Sequence, residues 1–255
     1  MIAKRNVIKI KRVPEVLVFV LLSPIMFVVL LAYVFGSSIT VPGGSYREFL
    51  IAGFFAQTVI FGSTFTGAGL AEDMQKGIIS RFRSLPMSRS AVLVGRTASD
   101  TVYNGLSVAI MAGTGLLVGW RIRTSVAEAV VGFALLLVFA YAFSWVMALV
   151  GLIVPSPEVI NNASFMVILP LTFIANTFVP EENLPGGLRT FAEWNPISAV
   201  TQAARELFGN LPAGSPEPTA WPLQNPLVYS LGWAISIIAV FAPLAVRQYN
   251  RVQQR

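Results

Sequence analysis

The chain has 255 residues, 55% of them hydrophobic and only 12% charged, with a formal net charge of +6 and neither cysteine nor histidine. A soluble domain carries roughly a quarter charged residues, so this composition leaves too little polar surface for a water-soluble globule and predicts an integral membrane protein. The missing thiols and imidazoles exclude disulfides, thiolate and Ser-His catalysis, His-ligated zinc and axial haem histidines, and the basic excess reads as membrane topology, not nucleic-acid binding.

A bilayer core of about 30 Å asks for about 20 apolar residues in a helix. The first run of that length is Val16–Phe35. It exceeds the roughly 7–15 apolar residues of a signal peptide, so it is expected to remain as a span. The second is Phe49–Ala71, which carries Phe54, Phe55, Gln57, Thr58 and Phe61.

After it, Met74, Ile78, Phe82 and Leu85 recur at spacings of four, four and three. They form one apolar stripe on a helix over Glu72–Leu85, with Lys76, Arg81 and Arg83 elsewhere around the axis. Glu72 and Asp73 would complement the dipole of its first turn, Pro86 ends it, and Ser88 or Ser90 caps the next helix. Such a helix either presents apolar knobs to a soluble partner or rests on lipid headgroups.

The third run is Thr101–Trp120, with Gly115 and Gly119 spaced for close helix approach. Just before it, Arg96 and Asp100 are one turn apart and read as an interfacial pair. The fourth, Ala129–Val154, is separated from the fifth, Val159–Val179, by Pro155-Ser156-Pro157-Glu158, where two prolines forbid helix continuation. The fifth carries Asn161, Asn162 and Phe165, and Pro170 at mid-span predicts a kink.

Between Pro180 and Pro226 the chain is too polar to span. Leu184, Leu188, Phe191 and Trp194 fall at helical spacing, Asn195-Pro196 reads as an N-cap followed by proline at N1, and Ile197, Val200, Ala204 and Leu207 continue on one face up to Gly209, a C′ stop. Two short interfacial or re-entrant helices over residues 184–208 are predicted. The last run is Leu227–Val246. The expected fold is therefore an all-α membrane domain covering residues 1–255, with six spans.

Thirteen of the eighteen Lys and Arg residues cluster before the first run, between the second and third, and after the sixth; Arg47, Arg121, Arg123, Arg189 and Arg205 fall on the other side. The positive-inside rule then places both termini in the cytoplasm. Glu15, Asp100, Glu128 and Glu158 all sit at the ends of these runs, leaving no ionisable group at mid-span for proton or sodium coupling. Neither G-x-x-x-x-G-K-[ST] nor G-x-G-x-x-G after a strand occurs. Any energy from a nucleotide must enter through another polypeptide.

The run Asp73…Gly77…Arg81-Phe82-Arg83-Ser84-Leu85-Pro86-Met87-Ser88…Gly95-Arg96…Asp100 resembles the signature of type-2 ABC exporter permeases, within these the drug-export branch typified by the daunorubicin-resistance permease. Phe178-Val179-Pro180-Glu181…Leu184-Pro185…Trp194-Asn195-Pro196…Arg205-Glu206-Leu207 extends the resemblance over nearly the whole chain. It implies a non-enzymatic permease subunit in a bacterial plasma membrane, exporting a drug or lipid. Two separate ABC ATPases, holding the ATP and magnesium, and a second permease copy or related permease are the implied partners; this chain itself binds no cofactor.

The loop after span two would be the coupling helix, with Glu72, Asp73, Met74, Gly77, Ile78, Arg81, Phe82, Arg83, Leu85 and Pro86 facing the ATPase. Spans two and five would line the substrate path with Phe54, Phe55, Gln57, Thr58, Phe61, Asn161, Asn162 and Phe165. The residues taken by themselves favour packing or lipid contact for the phenylalanines and helix–helix hydrogen bonding for the asparagines. Leu188, Phe191, Trp194 and Asn195 would belong to an outer gate. The same family also exports polysaccharide or glycolipid, and a passive scaffold or scramblase would share the spans and charge asymmetry. An intramembrane enzyme is disfavoured by the absent histidines.

Overall fold

A computed structural model describes residues 25–26, 29–30, 33, 46–77, 89–154, 156–179, 181, 184–211, 214 and 217–252. The described elements are helices: α1 Tyr46–Gln75, α2 Arg89–Val118, α3 Val126–Ile153, α4 Pro157–Ile174, α5 Gly186–Trp194, α6 Pro196–Phe208, α7 Trp221–Gln224 and α8 Pro226–Val252. No strand occurs among the described residues. Five helices (α1, α2, α3, α4 and α8) are long and apolar enough to cross a membrane. The run expected as span one lies outside the described residues except for Ile25, Met26, Val29, Leu30 and Tyr33, which are helical.

Local sequence sets the helix ends. Ser125 caps α3: its hydroxyl accepts from the Glu128 N–H at 3.3 Å while the Glu128 carboxylate accepts from the Ser125 N–H at 2.9 Å, a reciprocal capping box. Ser156 caps α4 with Pro157 at the start of the helix, where the missing N–H leaves no bond unmade. The expected break between spans four and five thus falls in place, Pro155 itself lying outside the described residues. Helix α4 runs through Pro170 and ends at Ile174, giving way to a turn over 175–178, earlier than the uncharged run suggested.

Two boundaries depart further from the sequence reading. Helix α2 begins at Arg89, so Arg96 and Asp100 lie well inside it. Asp100 is eight residues into the apolar stretch Val92–Val118, about 12 Å along the axis at 1.5 Å per residue. The helix therefore begins well before the uncharged run Thr101–Trp120 and carries this carboxylate inside it. Its charge is accommodated within the helix by partners described below. Glu72 and Asp73 also occupy the last turn of α1 instead of opening a new helix. That helix stops where Gly77 takes a φ of +63°, a left-handed conformation that glycine adopts without strain. Residues 78–88, the rest of the expected Glu72–Leu85 helix, lie outside the described residues.

Helix α1 is the central post, buried along most of its length among α2, α3, α4 and α6. Lipid is as apolar as a leucine side chain, so burial from water does not drive helices together here; close contact and interhelical hydrogen bonds must do so. Small residues provide that contact. A Cβ on Gly67 would stand 2.7 Å from the Met147 carbonyl oxygen of α3, and one on Gly151 would overlap the Gly67 backbone. Nearby, the Ser63 hydroxyl lies 2.8 Å from the Val59 carbonyl and 3.1 Å from that of Ala140 across the helix pair. The expected Gly115/Gly119 pair does not work this way: Gly115 faces Ile51 and Trp120, whereas Gly119 follows the end of α2 at a φ of +107° with nothing near its Cβ position.

One end of the bundle carries the α1–α2 connection and the end of α8, where Leu70, Val92, Leu93, Trp145, Ala245 and Tyr249 pack together. The opposite end carries the α2–α3 turn and the α5–α6 hairpin. Helices α4 and α8 keep most of their surface exposed.

Candidate functional site

Three regions hold the residues singled out from sequence. The first is the seam between α1 and α2 near the α1–α2 connection. Arg96 Nε lies 3.3 Å from Asp100 Oδ2, its Nη1 3.5 Å from Asp73 Oδ2, and its Nη2 donates to the Phe65 carbonyl at 3.2 Å. The Thr66 hydroxyl donates to Asp100 Oδ2 at 2.7 Å. Arg96 fits because its neighbour is Gly69, where any Cβ would overlap the guanidinium. Lys76 pairs with Glu72 one turn away. Of the expected coupling residues, Glu72, Asp73 and Met74 are half-buried here and Gly77 ends the helix. Ile78, Arg81, Phe82, Arg83, Leu85 and Pro86 lie outside the described residues.

The second region is an exposed face shared by α1 and α4. Phe61 and Phe165 meet there with ring centroids 5.9 Å apart, and Asn161, Asn162 and Phe165 are exposed. Gln57 and Thr58 are half-buried on α1, and Gln57 Oε1 has no hydrogen-bond partner. Phe54 and Phe55 lie elsewhere. Phe55 is fully buried against Trp120, Phe133 and Phe208 at 5.2–5.8 Å, and Phe54 packs edge-on against Phe178 at 5.2 Å.

The third region is the α5–α6 hairpin at the opposite end. Asn195 joins the two helices as expected. Its side-chain oxygen accepts from the Ile197 N–H at 2.9 Å, its amide donates to the Leu171 carbonyl at 3.1 Å, and Pro196 opens α6. Gly209 ends α6 at a φ of +69°. Leu188, Phe191 and Trp194 are about half exposed on α5, whereas α6 is buried from Ile197 through Arg205. Helix α6 is thus enclosed by the bundle instead of lying on its surface.

Its anchor is Arg205, with no exposed surface. The guanidinium donates to the Phe49 carbonyl at 3.2 and 3.3 Å, to Asn176 at 2.7 Å and to Thr177 at 3.2 Å, and stacks 3.5 Å over the Phe49 ring. Burial pushes Arg205 down to about 9, with Glu181 and Tyr46 acting the other way, so it remains a cation at neutral pH. The end of α6 is also tied to the α2–α3 turn. Trp120 Nε1 donates to Asn210 Oδ1 at 2.6 Å, Asn210 Nδ2 to the Arg121 carbonyl at 2.8 Å, and the Thr124 hydroxyl to the Leu207 carbonyl at 2.6 Å.

The charge count puts Arg205 with the outer-side arginines and says nothing of its burial. The available signal was its place one residue past Ala204 on the apolar side of a helix whose residues Ile197, Val200 and Ala204 are buried. The pairing of Arg96 with Asp100 is present as expected, and Asn104, one turn further on, joins them on the same face of α2 without having been singled out.

The sequence is matched in known proteins. The profile of the ABC-2 type transporter family matches residues 1–208. The chain is 32% identical to a daunorubicin resistance ABC transporter permease of Streptomyces coeruleorubidus, over 96% of this chain and 83% of that protein. It is 25% identical to a probable doxorubicin resistance ABC transporter permease of Mycobacterium tuberculosis, over 88% of this chain and 78% of that protein. A helical membrane chain so matched along most of its length belongs to the ABC-2 type transporter family.

Proposed function

We propose that this chain is the transmembrane permease subunit of an ATP-driven exporter, moving a hydrophobic or amphiphilic drug or lipid outward from the cytoplasm or inner leaflet. The observation that carries this reading is the alignment, over nearly the whole chain, with a permease named for daunorubicin resistance. The whole of residues 1–255 acts as one transmembrane domain in a bacterial plasma membrane. With no nucleotide motif in the sequence, the chain depends on two separate ABC ATPases, and a second permease completes the path.

The bundle end bearing the α1–α2 connection and the last turns of α8 faces the cytoplasm. It brings Lys76, Arg247 and Arg251 to one side, in keeping with the positive-inside rule. The segment Glu72–Leu85 docks on the ATPase and carries its closure into α1 and α4. The face with Phe61, Asn161, Asn162 and Phe165 lines the path, since amides exposed on a spanning helix are costly against lipid and favour a protein or solvent-lined neighbour. The α5–α6 hairpin, with Leu188, Phe191, Trp194 and Asn195, closes the outer mouth.

The test is co-purification of a tagged chain from its native membrane, followed by a vanadate-sensitive ATPase assay, with Phe82→Asp/Leu85→Asp as the variant. A nucleotide-binding subunit that accompanies the chain and is lost from the variant supports the reading. An ATPase retained by the variant refutes the docking assignment. Absence of any ATPase from the unmodified chain would make it a passive scaffold or scramblase.

A further inference from the structure

Helix α2 carries Arg96, Asp100 and Asn104 on one face, and α1 meets them in antiparallel order with Gly69, Thr66 and Gly62. A Cβ on Gly69 would overlap the Arg96 guanidinium, and one on Gly62 would overlap the Asn104 amide oxygen. The polar side chains of α2 are therefore seated in notches of α1. Both amide atoms of Asn104 are buried without a partner. Ionic and polar groups in such a place are poor devices for stability, because an apolar replacement of the same volume is often as stable or more so. Within a membrane span they mark function by default.

The last turns of α1, Gly67-Ala68-Gly69-Leu70-Ala71-Glu72-Asp73-Met74-Gln75, hold two glycines, and Gly77 follows just beyond the helix end. Each helical glycine is roughly 1 kcal/mol less favourable than alanine, and acidic side chains at a helix C-terminus oppose the dipole. Apolar contacts beside this end are non-directional and permit sliding. Arg96 is directional: one planar fork reaches Asp73 in the last turn of α1, the Phe65 carbonyl two turns earlier, and Asp100 on its own helix. A slip of one helical turn, about 5.4 Å, would lift the guanidinium out of the Gly69 notch and break the contacts with α1.

We infer that Arg96 is a positioning residue for energy coupling. It braces the end of α1 against α2, so that a push on the segment following Asp73 displaces the two helices together instead of bending the tip of α1. This inference rests on the proposed coupling role of Glu72–Leu85 and adds the residue that makes the push effective.

The test uses the full complex of permease and ATPase, reconstituted in inside-out vesicles, and measures ethidium accumulation per ATP hydrolysed. Arg96→Met removes the brace and keeps an apolar stem of similar length. Arg96→Met/Asp100→Asn does the same without leaving an unpaired buried carboxylate, and covers the case in which the single variant does not fold. The expected result is that the ATPase still co-purifies and hydrolyses ATP, while accumulation per ATP falls at least ten-fold in the double variant. Arg96→Lys, which keeps the charge but not the fork, should recover part of that ratio.

An accumulation-to-hydrolysis ratio equal to that of the unmodified complex overturns the inference. So does a parallel loss of both activities in every variant, which a purely structural arginine would give. If Phe82→Asp/Leu85→Asp releases the ATPase while the Arg96 variants keep the normal ratio, the coupling segment stands and the brace falls. If the unmodified chain recruits no ATPase, the underlying functional reading fails first.

Discussion

Replacing Arg205 by lysine or methionine separates two explanations of how α6 is held in the bundle. In one, the fork geometry matters; in the other, a positive charge suffices. Arg205 gathers carbonyls from three places: Phe49 in the first turn of α1, and Asn176 and Thr177 in the turn after α4. Leaving a buried acceptor without its donor costs about 1–3 kcal/mol, so losing the two turn carbonyls alone costs about 2–6 kcal/mol. The cation over the Phe49 ring adds about 1–2 kcal/mol at a desolvated site.

Against this stands the desolvation of the guanidinium, several kcal/mol per buried ion, which methionine relieves and lysine does not. Arg205→Lys keeps the burden of a buried cation yet offers a point charge where a planar fork served three acceptors. It should therefore be at least as destabilising as Arg205→Met, although lysine is the more conservative exchange by charge. The assay is thermal unfolding of purified chain in one detergent, followed by loss of the monodisperse peak on size exclusion. A lysine variant that melts with the unmodified protein, beside a methionine variant that does not, would refute the reasoning and make charge alone the anchor.

Three further outcomes follow from the packing. Gly67→Ala puts a methyl group against the Met147 carbonyl and should destabilise by about 1–3 kcal/mol. Gly187→Ala, on an exposed helix with open space at its Cβ position, should be neutral or stabilising by up to about 1 kcal/mol; the two substitutions moving together in thermal unfolding would contradict the close α1–α3 contact. Trp120→Phe and Asn210→Ala should each cost about 1–3 kcal/mol, and their double variant less than the sum, because both break the same 2.6 Å bond; strict additivity in a double-mutant cycle would show that bond to be unimportant. Glu48→Gln weakens the bidentate pair between the Glu48 side chain, 12% exposed, and that of Arg123, 62% exposed; screening at the arginine should hold the loss to about 1 kcal/mol, and a drop in melting temperature as large as that of Gly67→Ala would show that the buried carboxylate dominates the pair.

Sequence by itself determined the features that depend on neighbours along the chain. Long apolar runs gave spanning helices because the backbone must satisfy its own hydrogen bonds in lipid. Ser125, Ser156, Asn195-Pro196 and Gly209 fixed helix ends because capping needs only two to four consecutive residues. Tertiary structure decided the rest. A rule that ends a span at the first charge excludes Asp100, yet α2 carries it inside because Arg96 is one turn away and Thr66 comes from another helix. Glu72 and Asp73 look like the opening turn of a helix until α1 is seen to run through them to Gly77. Arg205 reads as an outer-side charge in a short polar segment, and the carbonyls that bury it lie 28, 29 and 156 residues away in sequence. A charge can enter an apolar interior only where partners are already assembled, and those partners come together only when distant helices pack.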